Sequence, residues 1–131
     1  MLKQILVVIF GFIAAMSNAQ ASRSPFISTA AYNWKDGRDY CTSIGLEIFT
    51  PKEHQDYTSI ATKCDECWVG LFVLDTKQEI LKSPNNQIYE VEWSSKEPEN
   101  LDQNRCLYEK DSKLYNQDCT YMKKVACVKK Q

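Results

Sequence analysis

Histidine is nearly absent from this 131-residue chain, in which His54 is the single example. With one histidine, the chain hardly supplies the base that a hydrolytic enzyme needs, and no nucleophile stands in a local hydrolase signature. His54 falls in the first turn of a predicted helix, where we expect it to be exposed. The protein is therefore predicted not to be an enzyme.

The chain also lacks a strong charge of one sign and an N-glycosylation sequon. Sixteen basic and seventeen acidic residues give a formal net charge of −1, so there is no electrostatic case for nucleic-acid binding. Four lysines near the C-terminus are interpreted as a solvated basic face: Lys123, Lys124, Lys129 and Lys130. No Asn-x-Ser/Thr triplet occurs, so N-glycosylation is not expected.

Only one long apolar run occurs, and it lies at the N-terminus. Lys3 precedes an apolar stretch over residues 5–16, and Ser17-Asn18-Ala19 places small residues before a cleavage site. A membrane-spanning helix needs roughly 20 apolar residues, which this run does not reach. We predict a signal peptide over residues 1–19, no membrane span, and one secreted, extracellular domain over residues 20–131.

Six cysteines follow in the predicted mature part, at positions 41, 64, 67, 106, 119 and 127. An even number in an oxidising compartment favours disulfide bonds over metal thiolates or a catalytic thiol. Six cysteines allow 15 pairings, and their spacing alone does not choose among them.

Hydrophobic spacing predicts two helices in the first half of the mature chain. The first begins at the capping residue Asn33, places Trp34, Cys41 and Ile44 on one face, and stops at Gly45. A capping box, TPKE at 50–53, begins the second, which carries the apolar residues Tyr57, Ile60 and Ala61 and ends near Lys63.

Short strands are predicted for the rest of the chain. CWVGLFV at 67–73 is suited to a buried strand, and IYEVEW at 88–93 alternates like a half-buried one. Further candidates are RCLYE, KLYNQD and KVACVK, whereas residues 74–87, with SPNN at 83–86, are interpreted mainly as loop. Helices followed by strands indicate an α+β domain rather than a parallel βαβ one.

These residues resemble the C-type lectin-like domain family from about residue 26 to residue 129. The resemblance rests on WVGL at 68–71, on Trp93 followed four residues later by Glu97-Pro98, and on the cysteine positions. It implies a short-form domain with two helices, small antiparallel sheets and a long ligand-binding loop. It also implies two disulfides, Cys41 with Cys127 and Cys106 with Cys119. Core positions are predicted for Trp34, Trp68 and Trp93, rather than sugar-stacking surfaces, since two of them lie in the family's structural motifs.

Cys64 and Cys67 lie outside the two bridges that the resemblance implies. The favoured interpretation is that they bond to each other and close the local loop CDEC. The main rival is a bridge to a second subunit of a homodimer. A redox role for this Cys-x-x-Cys motif lacks a thioredoxin-like βαβ context, and zinc lacks a second free pair.

Sugar-binding members of the family hold a calcium ion in the long loop, and two vicinal sugar hydroxyls coordinate that ion. Carried over by position, the resemblance assigns five calcium ligands: Glu97, Glu99, Asn104, Asn116 and Gln117. All five carry oxygen donors, which suits a cation that takes six to eight oxygens. The first four are also assigned to hydrogen bonds with the sugar.

This ligand set departs from the family pattern. Glu99 stands where the family has Asn or Asp, Asn104 replaces a Glu, and Gln117 stands where Asp is usual. Two acids remain where the mannose type has three, and Asp102 or Asp118 is a candidate for the third.

The expected function is calcium-dependent carbohydrate binding without catalysis, with glycans or glycoproteins as partners. Glu-Pro-Glu at 97–99 offers two acceptors and no amide donor, and the leading Glu97 slightly favours mannose-type over galactose-type sugars. The alternative is a calcium-independent member of the family that binds a protein partner.

Overall fold

The structure is a computed structural model that describes residues 24–51, 60–89, 93 and 97–130. The predicted signal peptide, His54, most of the predicted second helix and residues 90–92 of a predicted strand lie outside the described residues. Of the second helix, residues 60 and 61 are described, and they are helical. Among the described residues, no helix is both long and apolar enough to cross a lipid bilayer.

The described elements are one helix and eight short strands. In chain order they are β1 (Phe26–Ile27), α1 (Trp34–Ser43), β2 (Glu47–Ile48), β3 (Cys67–Asp75), β4 (Ile80–Lys82), β5 (Ile88–Tyr89), β6 (Cys106–Lys110), β7 (Lys113–Gln117) and β8 (Lys124–Val128).

Helix α1 begins and ends where its sequence predicts. The Asn33 side chain accepts a 2.8 Å hydrogen bond from the Asp36 N–H and so caps the first turn. Gly45 has a φ of +79°, a conformation that glycine adopts without steric cost. The placement of Ile44 on the buried face was wrong: it is the C-cap residue and is 43% exposed, because the helix has ended there.

The strands form one sheet with the order β1-β8-β3-β4-β5, in which β2 also pairs with β8, and β6 with β3 and β7. The predicted antiparallel arrangement holds except between β3 and β8, which run parallel where Trp68 lies beside Val125. More than 40 residues separate β3 from β8, so no hairpin forces them to run antiparallel.

Strands β3, β6, β7 and β8 confirm the strand predictions made for their segments. The loop prediction for residues 74–87 was wrong at β4, which pairs with β3 beyond an irregularity between Val73 and Asp75. A three-residue strand with one buried side chain, Leu81, has too few alternations to be recognised from its pattern. The two-residue strands β1 and β2 escaped prediction for the same reason.

Strand β3 separates two hydrophobic clusters. Val69, Leu71 and Val73 lie in the first, and Trp68 lies in the second with Trp34. Trp68 is fully buried, and its indole N–H donates a 2.8 Å hydrogen bond to the Tyr32 carbonyl. The core positions predicted for Trp34 and Trp68 are confirmed, whereas Trp93 is half-buried against the first cluster.

Three disulfides join the six cysteines: Cys41–Cys127, Cys64–Cys67 and Cys106–Cys119. The two pairings that the resemblance implies and the favoured local pairing are confirmed. Because Cys64 and Cys67 are bonded to each other, neither sulfur is left for a bridge to a second subunit.

Glu109 is a fully buried carboxyl group on β6. One of its oxygens, Oε1, accepts a 2.7 Å hydrogen bond from the Ser112 N–H in the β6–β7 turn. The other, Oε2, is buried without a hydrogen-bond partner. Burial raises the pKa of Glu109 against the effect of the Ser112 hydrogen bond, and the charges of Asp111 and Asp65 add to the rise.

The raised pKa of Glu109 predicts a pH dependence of stability. Folding favours the protonated form, so this contribution is fully present below the ordinary pKa of 4.5 and is lost as pH rises through the raised value. Relative to Glu109→Gln, we expect the wild-type free energy of unfolding to decrease as pH rises through that window. Urea denaturation of both proteins from pH 4 to 8 checks this, and parallel curves would contradict it.

Candidate functional site

The open end of the β6–β7 hairpin carries the residues assigned to the site. Leu107 lies opposite Asn116, and Cys106 lies opposite Gln117. Because side chains alternate along a strand, Asn116 shares the core-facing side with Leu107, and Gln117 lies on the other side. The long loop reaches this end of the hairpin through Asn104, which precedes β6 by two residues.

The side-chain amide of Asn116 fastens the long loop to β7. Its Oδ1 accepts a 3.0 Å hydrogen bond from the Glu99 N–H, and its Nδ2 donates to the carbonyls of Glu99 at 2.6 Å and Asn104 at 2.8 Å. Asn116 is 7% exposed. Both amide hydrogens are used, and one lone pair of Oδ1 remains free. Because its partners are Glu99 and Asn104, Asn116 braces both ends of the segment 99–104.

The segment between these two attachment points is a compact turn. The N–H groups of Gln103 and Asn104 both donate to the Asn100 carbonyl, at 3.1 and 2.9 Å. Asn100 has a φ of 49°, in the left-handed region that asparagine tolerates better than most residues. The amide of Asn116 and this turn therefore fix the main chain from Glu99 to Asn104.

Glu97 precedes a cis peptide bond to Pro98. Its carboxyl oxygen Oε2 is buried without a hydrogen-bond partner. Burial raises the pKa of Glu97, and the charge of Glu99 adds to the rise, while hydrogen bonds from the backbone N–H groups of Asn116 and Glu99 oppose it. Glu97 therefore lies within electrostatic reach of Glu99 and beside β7.

Gln117 provides a second orphaned oxygen at the same end of the hairpin. Its Oε1, like Glu97 Oε2, is buried without a hydrogen-bond partner. Buried oxygens without donors are costly in proteins, and oxygen is the ligand type that a hard cation such as calcium takes. The chemistry of this donor set fits calcium.

The candidate calcium site has fewer acidic residues than the mannose-type site of the family. Within the ranges that the structure describes, no three histidine, cysteine or acidic side chains are grouped to hold a metal ion. Asp118 was a candidate for the third acid, but its Oδ1 accepts hydrogen bonds from the N–H and hydroxyl of Thr120 at 2.9 and 2.7 Å. These bonds lower the pKa of Asp118. The coordination shell would thus depend on amide and main-chain oxygens.

The structure brings four of the five assigned residues together through contacts that involve Asn116: Glu97, Glu99, Asn104 and Asn116 itself. Gln117 follows on the same strand. Sequence reasoning assigned Asn116 as a ligand and missed its role as a brace, because its partners are main-chain atoms whose positions depend on the fold of the loop.

The chain belongs to the C-type lectin domain family, because residues 30–129 match the family profile described as Lectin C-type domain. Among curated protein sequences, none matches this chain significantly. The family membership confirms the resemblance and, with the described helix and sheet, the α+β C-type lectin-like fold.

Similar solved structures include carbohydrate-binding and calcium-independent proteins. The carbohydrate-recognition domain of the mouse scavenger receptor C-type lectin aligns over 82% of this chain and 89% of its own, at 14% identity and a TM-score of 0.71. The murine dendritic cell inhibitory receptor 2 domain, solved in complex with an N-glycan, aligns over 81% and 90%, at 18% identity and a TM-score of 0.68. A calcium-independent type II antifreeze protein aligns over 80% and 84%, at 13% identity and a TM-score of 0.70. At these identities the similarity supports the fold alone.

Proposed function

We propose that this protein is a secreted lectin that binds carbohydrate through a calcium ion at the long loop. The observation that carries the proposal is the pair of buried oxygens without partners, Glu97 Oε2 and Gln117 Oε1. They lie beside a loop that Asn116 already fastens to β7. The paired cysteines are consistent with an oxidising, extracellular compartment.

Five residues would hold the ion: Glu97, Glu99, Asn104, Asn116 and Gln117. Bound calcium supplies a coordination centre for two vicinal sugar hydroxyls. The carboxylates of Glu97 and Glu99 accept hydrogen bonds from those hydroxyls, and the Asn104 amide is the donor in the set. The leading Glu97 slightly favours mannose-type over galactose-type sugars. A single weak site benefits from multivalency, which a homodimer would provide.

Calcium is expected to raise the thermal midpoint of the protein in a saturable way. A ligand that binds only the folded state stabilises it by about 2.7 kcal/mol at a hundredfold excess over its Kd. Glu97→Gln removes one of two acidic ligands and should abolish the shift. Glu79→Gln removes an exposed acid in the β3–β4 turn, changes the net charge equally, and should keep the shift.

Thermal unfolding in chelator and across a calcium titration measures this for the three proteins. A flat wild-type response through millimolar calcium would overturn the calcium site. Where the shift is present, retention on mannose and galactose columns, with release by chelator, tests the carbohydrate part of the proposal.

A second candidate function is calcium-independent binding of a protein partner. It is favoured by the Asn116 amide, whose two hydrogens hold the loop through main-chain carbonyls without a metal. The departures at Glu99, Asn104 and Gln117 also weaken the calcium set. Protein capture that persists in chelator, together with a flat calcium titration, would support this candidate over the lectin.

A further inference from the structure

The Cys64–Cys67 disulfide lies at the turn end of the β6–β7 hairpin, away from the candidate sugar site. Cys67 is the antiparallel partner of Glu109 in the pairing of β3 with β6. Residues directly opposite in such a pair have Cβ atoms about 4.5–5.5 Å apart on the same face of the sheet. The buried residue Glu109 therefore lies beside Cys67 on the same face of the sheet.

The two sulfurs differ in their access to solvent. Cys67 is fully buried, whereas Cys64 is 8% exposed and lines a surface groove. Three lysines and two acids also line the groove: Lys63, Lys123, Lys124, Asp65 and Glu66. Cys64 therefore borders the groove from which a thiolate would arrive, whereas Cys67 does not line it, and the lysines of the groove outnumber its acids.

The disulfide also closes the shortest loop of the three. It joins residues only three apart in sequence, against 86 for Cys41–Cys127 and 13 for Cys106–Cys119. A shorter closed loop restrains the unfolded chain less. Within that loop Glu66 has a φ of 69°, an unfavourable conformation for a side chain without special tolerance. Opening this bond is therefore expected to destabilise the domain less than opening either of the other two.

We propose that Cys64–Cys67 is a thiol–disulfide exchange site in which Glu109 protonates the leaving sulfur of Cys67. The co-reactant is a dithiol reductant. Its thiolate attacks the Cys64 sulfur, the Cys64–Cys67 bond breaks, and a mixed disulfide forms between the reductant and Cys64. The electron pair of the broken bond goes to Cys67, which takes the proton from Glu109.

The second step completes the exchange. The second thiolate of the reductant attacks the reductant sulfur of the mixed disulfide and releases Cys64 as a thiolate, which takes a proton from water in the groove. The reductant becomes a disulfide and the protein pair becomes two thiols. Glu109 recovers its proton from solvent.

Glu109 suits this role because Cys67 would otherwise leave as an anion in a hydrophobic cluster. Its Oε2 carries no hydrogen bond, so a proton there is not committed elsewhere. Burial raises its pKa, which keeps the carboxyl group protonated at a higher pH than an exposed glutamate. The site is separate from the loop that would hold calcium, so its test does not depend on the proposed lectin function.

The first test reduces protein expressed from the full chain under native conditions with dithiothreitol. Samples are quenched with acid and alkylated, and the labelled cysteines are identified by peptide mass spectrometry. We expect Cys64 and Cys67 to be labelled while the other four cysteines remain oxidised. Simultaneous labelling of all six cysteines, or labelling of this pair last, would overturn the proposal.

The second test follows the rate of this reduction from pH 4.5 to 9, corrected for the thiolate fraction of dithiothreitol. Glu109→Gln keeps an acceptor for the Ser112 N–H but has no acidic proton. We expect its rate to be about tenfold or more below wild type where Glu109 is protonated, with the difference shrinking as pH rises through the raised pKa of Glu109. Glu79→Gln, which removes an exposed acid in the β3–β4 turn, is the control and should react like wild type. A rate equal to wild type, or a change that is the same at every pH, would remove Glu109 from the mechanism.

Discussion

Replacing Cys41 and Cys127 together by alanine is expected to lower the free energy of unfolding by about 4.6 kcal/mol in the chain-entropy description of disulfides. The bond joins residues 86 apart, so its loss frees most of the unfolded domain. Both sulfurs are fully buried in the second hydrophobic cluster, and the small voids left by alanine add to the cost. For a domain of this size, such a loss is a large share of the total stability.

The other two disulfides provide matched controls for this prediction. Cys106→Ala with Cys119→Ala opens a separation of 13 residues and should cost about 3 kcal/mol. Cys64→Ala with Cys67→Ala opens a separation of three and should cost about 2 kcal/mol. Urea denaturation of the three pair variants at one pH gives the order. Equal losses would show that loop length does not govern the contribution of these bonds.

Elements with strong local signals were predictable from the sequence. The signals that bound helix α1 are local in sequence. Asn33 caps its first turn, and Gly45 follows its C-terminal end. Strand β3 begins with the apolar run 67–73, in which every residue except Phe72 is buried. The disulfide pairing was not fixed by spacing and came from the resemblance, which relied on the order of several motifs along the whole chain.

Features that depend on distant partners were not predictable in the same way. The parallel pairing of β3 with β8 joins segments that are far apart in sequence, with no local sequence signal. Glu109 shares a face with Leu107 by simple alternation, yet only the packed structure shows that this face is fully buried at Glu109. The resemblance assigned the site residues by their positions in the family motif. It could not predict the hydrogen bonds that Asn116 makes.

Both proposed sites lie on one hairpin, at opposite ends. The five residues of β7 span about 17 Å, which separates Gln117 from the turn near Glu109. Substitutions at this separation usually have additive effects on stability. Glu97→Gln is therefore expected to leave the reduction of Cys64–Cys67 unchanged, and Glu109→Gln to leave the calcium response unchanged.

Asn116→Ala is expected to release the long loop while the domain remains folded. The change removes three hydrogen bonds and leaves the Glu99 N–H and the carbonyls of Glu99 and Asn104 without their partner. At about 1 kcal/mol for each bond, the total is about 3 kcal/mol. About 1.4 kcal/mol corresponds to a tenfold change in an equilibrium constant. Hydrogen exchange at the Glu99 amide, measured in chelator, should therefore accelerate about a hundredfold.

Asn116→Asp separates the acceptor function of the Asn116 side chain from its donor function. Aspartate can still accept from the Glu99 N–H, but it cannot donate to the two carbonyls and places negative charge beside them. We expect exchange at the Glu99 amide to accelerate in this variant as well, while amides of the core strand β3 keep their protection. Unchanged exchange at Glu99 in both variants would show that Asn116 does not hold the loop.

The comparison with Glu97→Gln distinguishes a brace from a calcium ligand. Glu97→Gln should abolish the calcium shift and leave exchange at the Glu99 amide in chelator as in wild type, because Asn116 still holds the loop and the glutamine oxygen still accepts from the Glu99 N–H. Asn116→Ala should lose both the calcium shift and the slow exchange of the Glu99 amide, since a released loop no longer presents Glu97 and Glu99 together. The opposite pattern, with fast exchange in Glu97→Gln and a retained calcium shift in Asn116→Ala, would reverse the two roles.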